Sequence, residues 1–258
     1  MLSIRTYYKY RELIWSLVVA DLKSKYKNSA LGFFWSMLDP LLISIVMIFV
    51  FMHVFDLRME NYPLYLISGL MTWRFFNSTA STMRVIRGYS GLIRKIYFPK
   101  EILVLSACLS SLISTLFEFV VLFIISIVLG GNITGWIVLT PLVLLLLFVM
   151  VIGFSFALST LYVFYEDMQH IWNVVLRALF YATPIIYPAT RIAPDSPYYI
   201  IFILNPMSHF VITIRHLIMY GDSPALGSVI GMLVFSIIAY VAGFIIFKRY
   251  EARLPEEV

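Results

Sequence analysis

Charged residues are scarce in this sequence. Asp, Glu, Lys and Arg together make up 13% of the 258 residues, whereas hydrophobic residues make up 61%. The mean hydropathy is +0.91. A water-soluble domain of this length would have to expose large contiguous apolar patches, which such domains avoid. The composition therefore excludes a soluble protein and predicts an all-α, polytopic membrane protein.

Several chemical signatures are also missing. Cys108 is the sole cysteine, which excludes an internal disulfide framework. The phosphate-binding pattern G-x-x-x-x-G-K-[ST] does not occur, so the chain cannot bind ATP in the Walker manner. The histidines are scattered and the cysteine has no partner motif, so no metal or cofactor is predicted on this chain. No serine elbow or paired-carboxylate site is evident, which argues against an enzyme.

A series of apolar runs fills most of the chain. We expect one transmembrane domain, 1–258, in which a membrane part at 31–247 follows an interface segment at 1–30 and precedes a tail at 248–258. Pro40 lies in the first half of the first run and predicts a kink there. The six predicted transmembrane helices are 31–55, 62–82, 103–129, 136–164, 171–181 and 226–247.

The segment before the first span has the pattern of an amphipathic interface helix. One helical face would carry Leu13, Ile14, Leu17, Val18, Leu22 and Tyr26. We expect this helix to lie in the headgroup plane with its lysines toward anionic lipid. The alternative, a helix of a soluble core, has no soluble domain to pack on. No cleavable signal peptide is expected, because the first thirty or so residues lack a separate apolar core.

The basic residues predict which loops are cytoplasmic. With six spans, three basic segments fall on one side, and the opposite loops hold only Arg58 and Arg191, with Arg215 in the ambiguous proline-broken segment. By the positive-inside rule, both termini are cytoplasmic. The same rule accounts for the net charge of +5, so no nucleic-acid partner is predicted. The three segments are the N-terminal segment, the stretch 84–101 and the tail with Lys248, Arg249 and Arg253.

Residues 184–220 are apolar but broken by prolines. Each half, at about 10–15 apolar residues, is too short to cross a bilayer alone. Broken helical backbone at membrane depth is tolerated where it is buried in protein or lines a cavity. We therefore expect an external re-entrant helix pair between spans five and six. An external amphipathic hairpin that rests on lipid is the alternative.

The stretch 84–101 predicts a contact surface on the cytoplasmic side. It holds five basic residues against one acid, Glu101. Leu92, Ile93, Ile96 and Tyr97 recur at the spacing of an amphipathic helix face. Pro99 ends that short helix because it lacks a backbone donor and disfavours helix at Phe98.

Two ionisable residues fall inside predicted spans, Arg74 in the second and Glu118 in the third. Such residues are costly in lipid and are candidates for function. Either the two form a structural ion pair, or Arg74 contacts a phosphorylated substrate. Aromatic residues reach 17%; they form an interfacial belt or stack on sugar rings in a conduit.

Four local stretches resemble one family, the membrane subunits of type-2 ABC exporters for cell-surface polysaccharides and teichoic acids. Residues 21–40 resemble its interface helix running into span one, and 92–102 resemble its cytoplasmic coupling helix. Residues 164–168 resemble its second cytoplasmic turn, although Glu166 stands where the family often has a basic residue. Thr183 to Tyr187, with Asn205 to Arg215, resemble its external re-entrant region.

The resemblance implies a half-transporter in a prokaryotic plasma (inner) membrane. Two copies of this chain would join two copies of a separate ATPase that holds ATP and Mg. The substrate would be a polyprenyl-diphosphate-linked glycan, moved outward between the two permeases. The ATPase contacts would be Leu92, Ile93, Arg94, Lys95, Ile96, Tyr97, Phe98, Glu166 and Asp167.

Two further groups of site residues are predicted. Charge and position suggest that four cations hold diphosphate head groups at the cytoplasmic entrance; these are Arg11, Lys23, Lys25 and Lys27. The conduit and re-entrant region would include Trp35, Trp73, Arg74, Tyr181, Pro184, Tyr187, Asn205, Pro206 and Arg215.

Three other functions are alternatives to polysaccharide export. A type-2 exporter of drugs or small lipids would share the span count and coupling loops. A polyprenyl-phosphate transferase would need an acidic cluster on one loop, and the sequence has none. A secondary transporter would be expected to show an inverted repeat, which is also missing.

Overall fold

A computed structural model describes residues 8–25, 27, 29, 31–54, 59–96, 98–191, 195–197 and 199–257. Within these residues every regular element is a helix, as the sequence predicts. The helices are α1 Arg11–Lys25, α2 Trp35–Phe49, α3 Tyr62–Asn77, α4 Thr79–Thr82, α5 Val85–Gly88, α6 Ser90–Lys95, α7 Glu101–Val128, α8 Thr140–Phe164, α9 Met168–Ala182, α10 Tyr199–Leu204, α11 Pro206–Arg215, α12 Leu226–Tyr250 and α13 Leu254–Glu257. Short 3₁₀ and π turns adjoin these helices at Gly32–Phe34, Val50–Val54, Gly135–Leu139 and His216–Tyr220, and a separate 3₁₀ turn lies at Ala189–Arg191.

Four helices are long and apolar enough to cross a membrane: Met37–Val54, Glu101–Val128, Gly135–Phe164 and Leu226–Tyr250. They correspond to the first, third, fourth and sixth predicted spans. The chain is therefore an integral membrane protein by the length and hydropathy of its helices.

The second and fifth predicted spans are shorter helices. Ser78 keeps helical geometry between α3 and α4 and donates its amide to Arg74, so the chain is almost continuously helical from 62 to 82. Helix α9 has 15 residues, about 22 Å at the usual rise, and Pro184 follows soon after its end. The count of six membrane crossings stays a prediction.

Loops predicted to share a side do meet at the same end of the bundle. At one end, Arg87 pairs with Glu166, which joins α5 to the turn before α9. At the other end, Asn61 donates its side-chain amide to the carbonyl of Leu129 at 3.0 Å. The pairing of loops thus agrees with the predicted topology, while the side that faces the cytoplasm stays a prediction.

Helices α8 and α12 form the closest packed pair. Gly153 and Gly243 face each other with no room for a Cβ atom on either, because each would meet backbone of the other helix. Small residues at such crossings let two membrane helices approach closely and gain van der Waals contact. Ser236 adds a hydrogen bond to the carbonyl of Leu146 at 2.9 Å.

Helix α1 packs along α7. Leu17 and Val18 are buried there, whereas Trp15 on the opposite face is 62% exposed. Lys25 donates to Ser110 of α7 at 3.2 Å and pairs with Asp21 at 2.8 Å. A helix is therefore present where the N-terminal interface helix was predicted, and its position in the headgroup plane stays a prediction.

Helices α10 and α11 occupy the region predicted as a re-entrant pair. Asn205 caps α11 by accepting the amide of Met207 at 3.0 Å, and Pro206 takes the first helical position, where a missing N–H does no harm. One face of α11, including Phe210 and Ile214, is buried among α3, α8 and α12. The depth of this pair in a membrane stays a prediction.

Candidate functional site

A cavity of about 390 Å³ lies between α3, α4, α7 and α9. All but one of the residues that line it are polar or charged, which is unusual inside an apolar bundle and marks a candidate site. The residues that line it are Lys25, Arg74, Asn77, Ser78, Ala80, Ser81, Arg84, Ser111, Ser114, Thr115, Glu118, Gln169 and Asn173.

Two smaller cavities continue this one in both directions. A cavity of about 330 Å³ shares Asn77 and Asn173 with it and ends at Tyr181. Another of about 190 Å³ shares Lys25 and Arg84. We call the three together the polar groove. Its Arg84 end lies near the end of the bundle that holds α6.

Arg74 is the centre of a charged triad in the middle of the groove. Its Nη1 donates to Asp39 of α2 at 2.5 Å, and its Nε lies 3.4 Å from Oε1 of Glu118 on α7. Of the two alternatives for Arg74, the ion pair with Glu118 is present, and the contact with a phosphorylated substrate stays a prediction. Asp39 was not anticipated as a partner, although an acid at the start of an apolar run is a recognisable signal.

Helix α9 presents a polar stripe to the groove. Gln169, Asn173 and Arg177 are spaced four residues apart, which puts them on one helical face. Arg177 lies nine residues after the first residue of α9, about 14 Å along the helix axis. This stripe was not among the predicted site residues, although its spacing is readable in the sequence.

Aromatic side chains wall the opposite end of the groove from Arg84. Trp73 and Phe180 meet edge to face with ring centroids 5.6 Å apart, and Tyr181 is 69% exposed beside them. Such faces stack well on sugar rings and other flat apolar surfaces. Of the predicted conduit residues, Trp73, Arg74 and Tyr181 line the groove.

Only one of the four predicted head-group cations reaches the groove. Lys25 lines two of its cavities. Arg11, Lys23 and Lys27 are exposed and line neither of these cavities. Arg11 lies over the ring of Tyr8, 4.4 Å from its centroid. The phosphate role of these three stays a prediction.

Some of the residues predicted to contact the ATPase are buried and others are exposed. Ile93 and Phe98 are buried within the chain, and Leu92 is half-buried. The exposed members are Arg94, Lys95 and Ile96, while Tyr97 lies outside the described residues. In this conformation the exposed surface for a partner is therefore narrower and more basic than the predicted apolar face.

The turn before α9, which is the second predicted ATPase contact, is joined by an ion pair to Arg87 of α5. Arg87 pairs with Glu166 and donates to the carbonyl of Val163 at 3.2 Å. Its guanidinium also lies 5.3 Å from the ring centroid of Tyr162. Asp167 is exposed in the same turn. The acid at 166 thus has a partner within the chain.

The C-terminal tail braces the same end of the bundle. Lys248 bridges Glu101 and Glu251, and Lys100 donates to the carbonyl of Glu251 at 2.8 Å. Burial here lowers the pKa of Lys100, the charge of Lys248 lowers it further, and Glu251 opposes the shift. Leu254 in α13 is fully buried and α13 contacts α6 and α8.

Arg215 sits at the other end of the bundle, where it is 2% exposed. It donates to the carbonyls of Tyr65, Pro184 and Ile185, at 2.5 to 3.2 Å. Its guanidinium also stacks 3.3 Å from the ring centroid of Tyr65. Arg215 is thus an internal clamp that ties α11 to α3 and to the non-helical segment after α9.

The remaining predicted conduit residues surround this clamp or lie apart from the groove. Asn205 donates to Thr183 at 2.8 Å, and the carbonyl of Tyr187 accepts the hydroxyl of Tyr65 at 2.9 Å. Pro184 is buried, and Pro206 begins α11. Trp35, at the start of α2, is 44% exposed. None of Trp35, Pro184, Tyr187, Asn205, Pro206 and Arg215 lines the polar groove as described here.

A bundle of long apolar helices around a polar groove, with basic loops gathered at one end, defines a membrane transport component. The ABC-2 type transporter family model matches residues 12–219, so the chain belongs to that family. The family resemblance read from the sequence is thereby confirmed. Family membership implies association with an ATPase.

Curated relatives resemble this chain over nearly their whole length. The O-antigen export system permease protein RfbA of Klebsiella pneumoniae is 30% identical over 261 residues, 99% of each chain. The protein of that name in Myxococcus xanthus is 27% identical over 256 residues, 99% of this chain and 98% of the relative. The polysialic acid transport protein KpsM of Escherichia coli is 22% identical over 246 residues, 93% and 94% of the two chains.

Proposed function

We propose that this chain is the permease subunit of an ATP-driven exporter that moves a lipid-linked polysaccharide across the plasma membrane. The observation that carries the proposal is similarity from end to end with permeases named for O-antigen export. The polar groove supports it, because a chain of hydroxyl-rich sugars needs hydrogen-bonding groups inside an apolar bundle.

The nucleotide would be held by a separate ATPase, since no phosphate-binding loop occurs in this sequence. Two copies of the permease and two of the ATPase would form the transporter, with ATP and Mg on the ATPase. The exposed Arg94, Lys95 and Ile96 would contact it. ATPase closure would push on α6 and rock the spans as rigid bodies.

The groove would form half of the conduit. Arg177 and Tyr181 are exposed along α9, in a protein whose charged side chains avoid lipid. A second copy facing this surface would enclose it and give the two sides of a channel. The amides of Asn77 and Asn173 would exchange hydrogen bonds with sugar hydroxyls, and Trp73 and Tyr181 would stack on sugar rings.

Deletion of the gene tests the proposal. We expect the cell to lose its surface polysaccharide and to accumulate the carrier-linked polymer at the cytoplasmic face. A plasmid copy should restore export, and a copy with Arg177→Glu should not, although it is inserted and binds the ATPase. Lys9→Glu, outside the groove, serves as the control and should export normally.

A second readout separates polysaccharide export from export of drugs or small lipids. The deletion strain should keep the wild-type susceptibility to hydrophobic antibiotics that act inside the cell. Intact surface polysaccharide together with increased drug accumulation would contradict the proposal and favour the drug exporter.

A further inference from the structure

Glu118 has an oxygen without a partner in the wall of the groove. The residue is 5% exposed, and its Oε1 lies 3.4 Å from Nε of Arg74. Among the described residues, neither Oε2 of Glu118 nor Nε of Arg74 has a hydrogen-bond partner. Buried groups of this kind are expensive unless a polar ligand or water satisfies them. Together they offer a hydrogen-bond acceptor and a donor side by side.

The same cavity carries positive charge at its other end. Arg84 lines it and forms no ion pair with a described acid. Lys25 lies beside it, with Asp21 as its partner. Arg84 and Arg74 are ten residues apart on an almost continuous helical stretch, which places them about 15 Å apart along it. A guanidinium suits a phosphate, which it can bind through two parallel hydrogen bonds.

Uncharged polar side chains fill the wall between these two ends. Asn77, Gln169 and Asn173 supply amides that both donate and accept, the usual partners of sugar hydroxyls. The volume of about 390 Å³ lies within the range of roughly 300–1,000 Å³ typical of small-molecule sites. The cavity therefore suits a ligand with a phosphate at one end and hydroxyl groups at the other.

We propose that this cavity binds the sugar joined directly to the carrier phosphate, with Arg84 on the phosphate and Glu118 accepting hydrogen bonds from the sugar. The inference rests on the proposed function and deepens it, because it assigns recognition of the first sugar to named residues. Glu118 is then the residue that distinguishes a glycosylated carrier from the bare one. A bare lipid diphosphate brings no hydroxyl to Glu118 and only adds negative charge near it.

Binding of synthetic carriers to the purified permease–ATPase complex in phosphatidylcholine nanodiscs tests this assignment. The probes are farnesyl diphosphate and its conjugates with glucose, galactose and N-acetylglucosamine, measured by microscale thermophoresis. We expect at least one conjugate to bind about tenfold more tightly than farnesyl diphosphate, the effect of one hydrogen bond to a charged group. Glu118→Gln should reduce that preference, because a neutral amide oxygen accepts a weaker hydrogen bond than a carboxylate, and it should not weaken binding of farnesyl diphosphate.

Three further variants make the result specific. Arg84→Gln should weaken binding of all four probes about tenfold or more, because it removes the phosphate contact. Ala80→Leu should also weaken all four, because it fills part of the cavity without changing any charge. Glu60→Gln, an exposed acid outside the groove, should keep the preference of the wild type.

Two outcomes would overturn the proposal. One is equal affinity for all four probes in the wild type; the other is an unchanged preference in Glu118→Gln protein that elutes as an intact complex. Each leaves the proposed function standing if the same complex restores surface polysaccharide to the deletion strain. Failure of that restoration by the wild-type gene would instead remove the proposed function.

Discussion

Arg215 is a buried cation whose partners are all backbone oxygens or an aromatic face. Its donors satisfy carbonyl groups of the segment where α9 has ended and no helix provides partners. Irregular backbone inside a membrane protein needs such internal partners, because lipid offers none. The clamp explains how the Pro184 segment can lie buried against α3.

Replacement of Arg215 by alanine should therefore destabilise the protein. We expect a loss of about 3 kcal/mol, because three buried carbonyls lose charged donors at once. Thermal unfolding in detergent measures the effect, with Arg249→Ala as the control at an exposed position. Equal melting temperatures for the two variants would show that the clamp contributes nothing.

Gly69 has no side chain, which leaves room for the guanidinium of Arg215. A Cβ on Gly69 would lie 2.6 Å from Nη2 of Arg215 and 3.3 Å from Ile185. We expect Gly69→Ala to cost about 1–3 kcal/mol from overpacking. Gly91→Ala meets nothing within 4 Å and should leave stability unchanged or slightly raise it through helix propensity. The difference between the two melting temperatures tests the argument.

At the scale of elements, α12 and the tail helix α13 brace the end of the bundle that holds α6. Lys100, Glu101, Lys248 and Glu251 join the start of α7 to the end of α12. Leu254 closes this contact from α13. A displacement of α6 would therefore be transmitted to α7 and α12. It would also reach α8 through the contact between Gly153 and Gly243.

Truncation of Leu254 should loosen that connection. We expect Leu254→Ala to lower stability by about 2–5 kcal/mol, as for other buried leucines, and to reduce the yield of co-purified ATPase. Glu257→Ala, exposed in the same helix, should do neither. The amounts of permease and ATPase recovered on a tagged permease provide the measurement. Wild-type yield with Leu254→Ala would mean that the tail plays no part in the ATPase contact.

At the scale of the whole molecule, the loops lie at two opposite ends of the bundle. This arrangement predicts from which side of the membrane each loop can be labelled. In a Cys108→Ser background, a cysteine at Glu166 should react with a membrane-impermeant maleimide only after the cytoplasmic face is opened. A cysteine at Asp222, beside the loop at the opposite end, should react in intact cells. Both residues are exposed, so labelling reports sidedness rather than burial. The reverse labelling pattern would overturn the predicted orientation.

Much of the architecture follows from the sequence because membrane helices are set by local hydropathy. Four spans and the N-terminal helix were recognisable because each depends on neighbours within a few residues. The family was recognisable from four short stretches. The Arg74–Glu118 pair was also foreseeable, since two opposite charges in adjacent spans have few other partners.

The tertiary structure alone decided which side chains share a surface. Burial of Ile93 and Phe98, the place of Arg215 as a clamp and the pairing of Arg87 with Glu166 depend on helices far apart in the chain. The polar groove likewise joins residues of α3, α4, α7 and α9, and its charge comes from contributions that no single helix reveals. Hydropathy is a local property and determines that a helix spans the membrane. The rotation of each helix about its axis, and the helices that it packs against, are set by packing within the bundle. The groove and its cavity between Glu118 and Arg84 therefore form only in the folded protein.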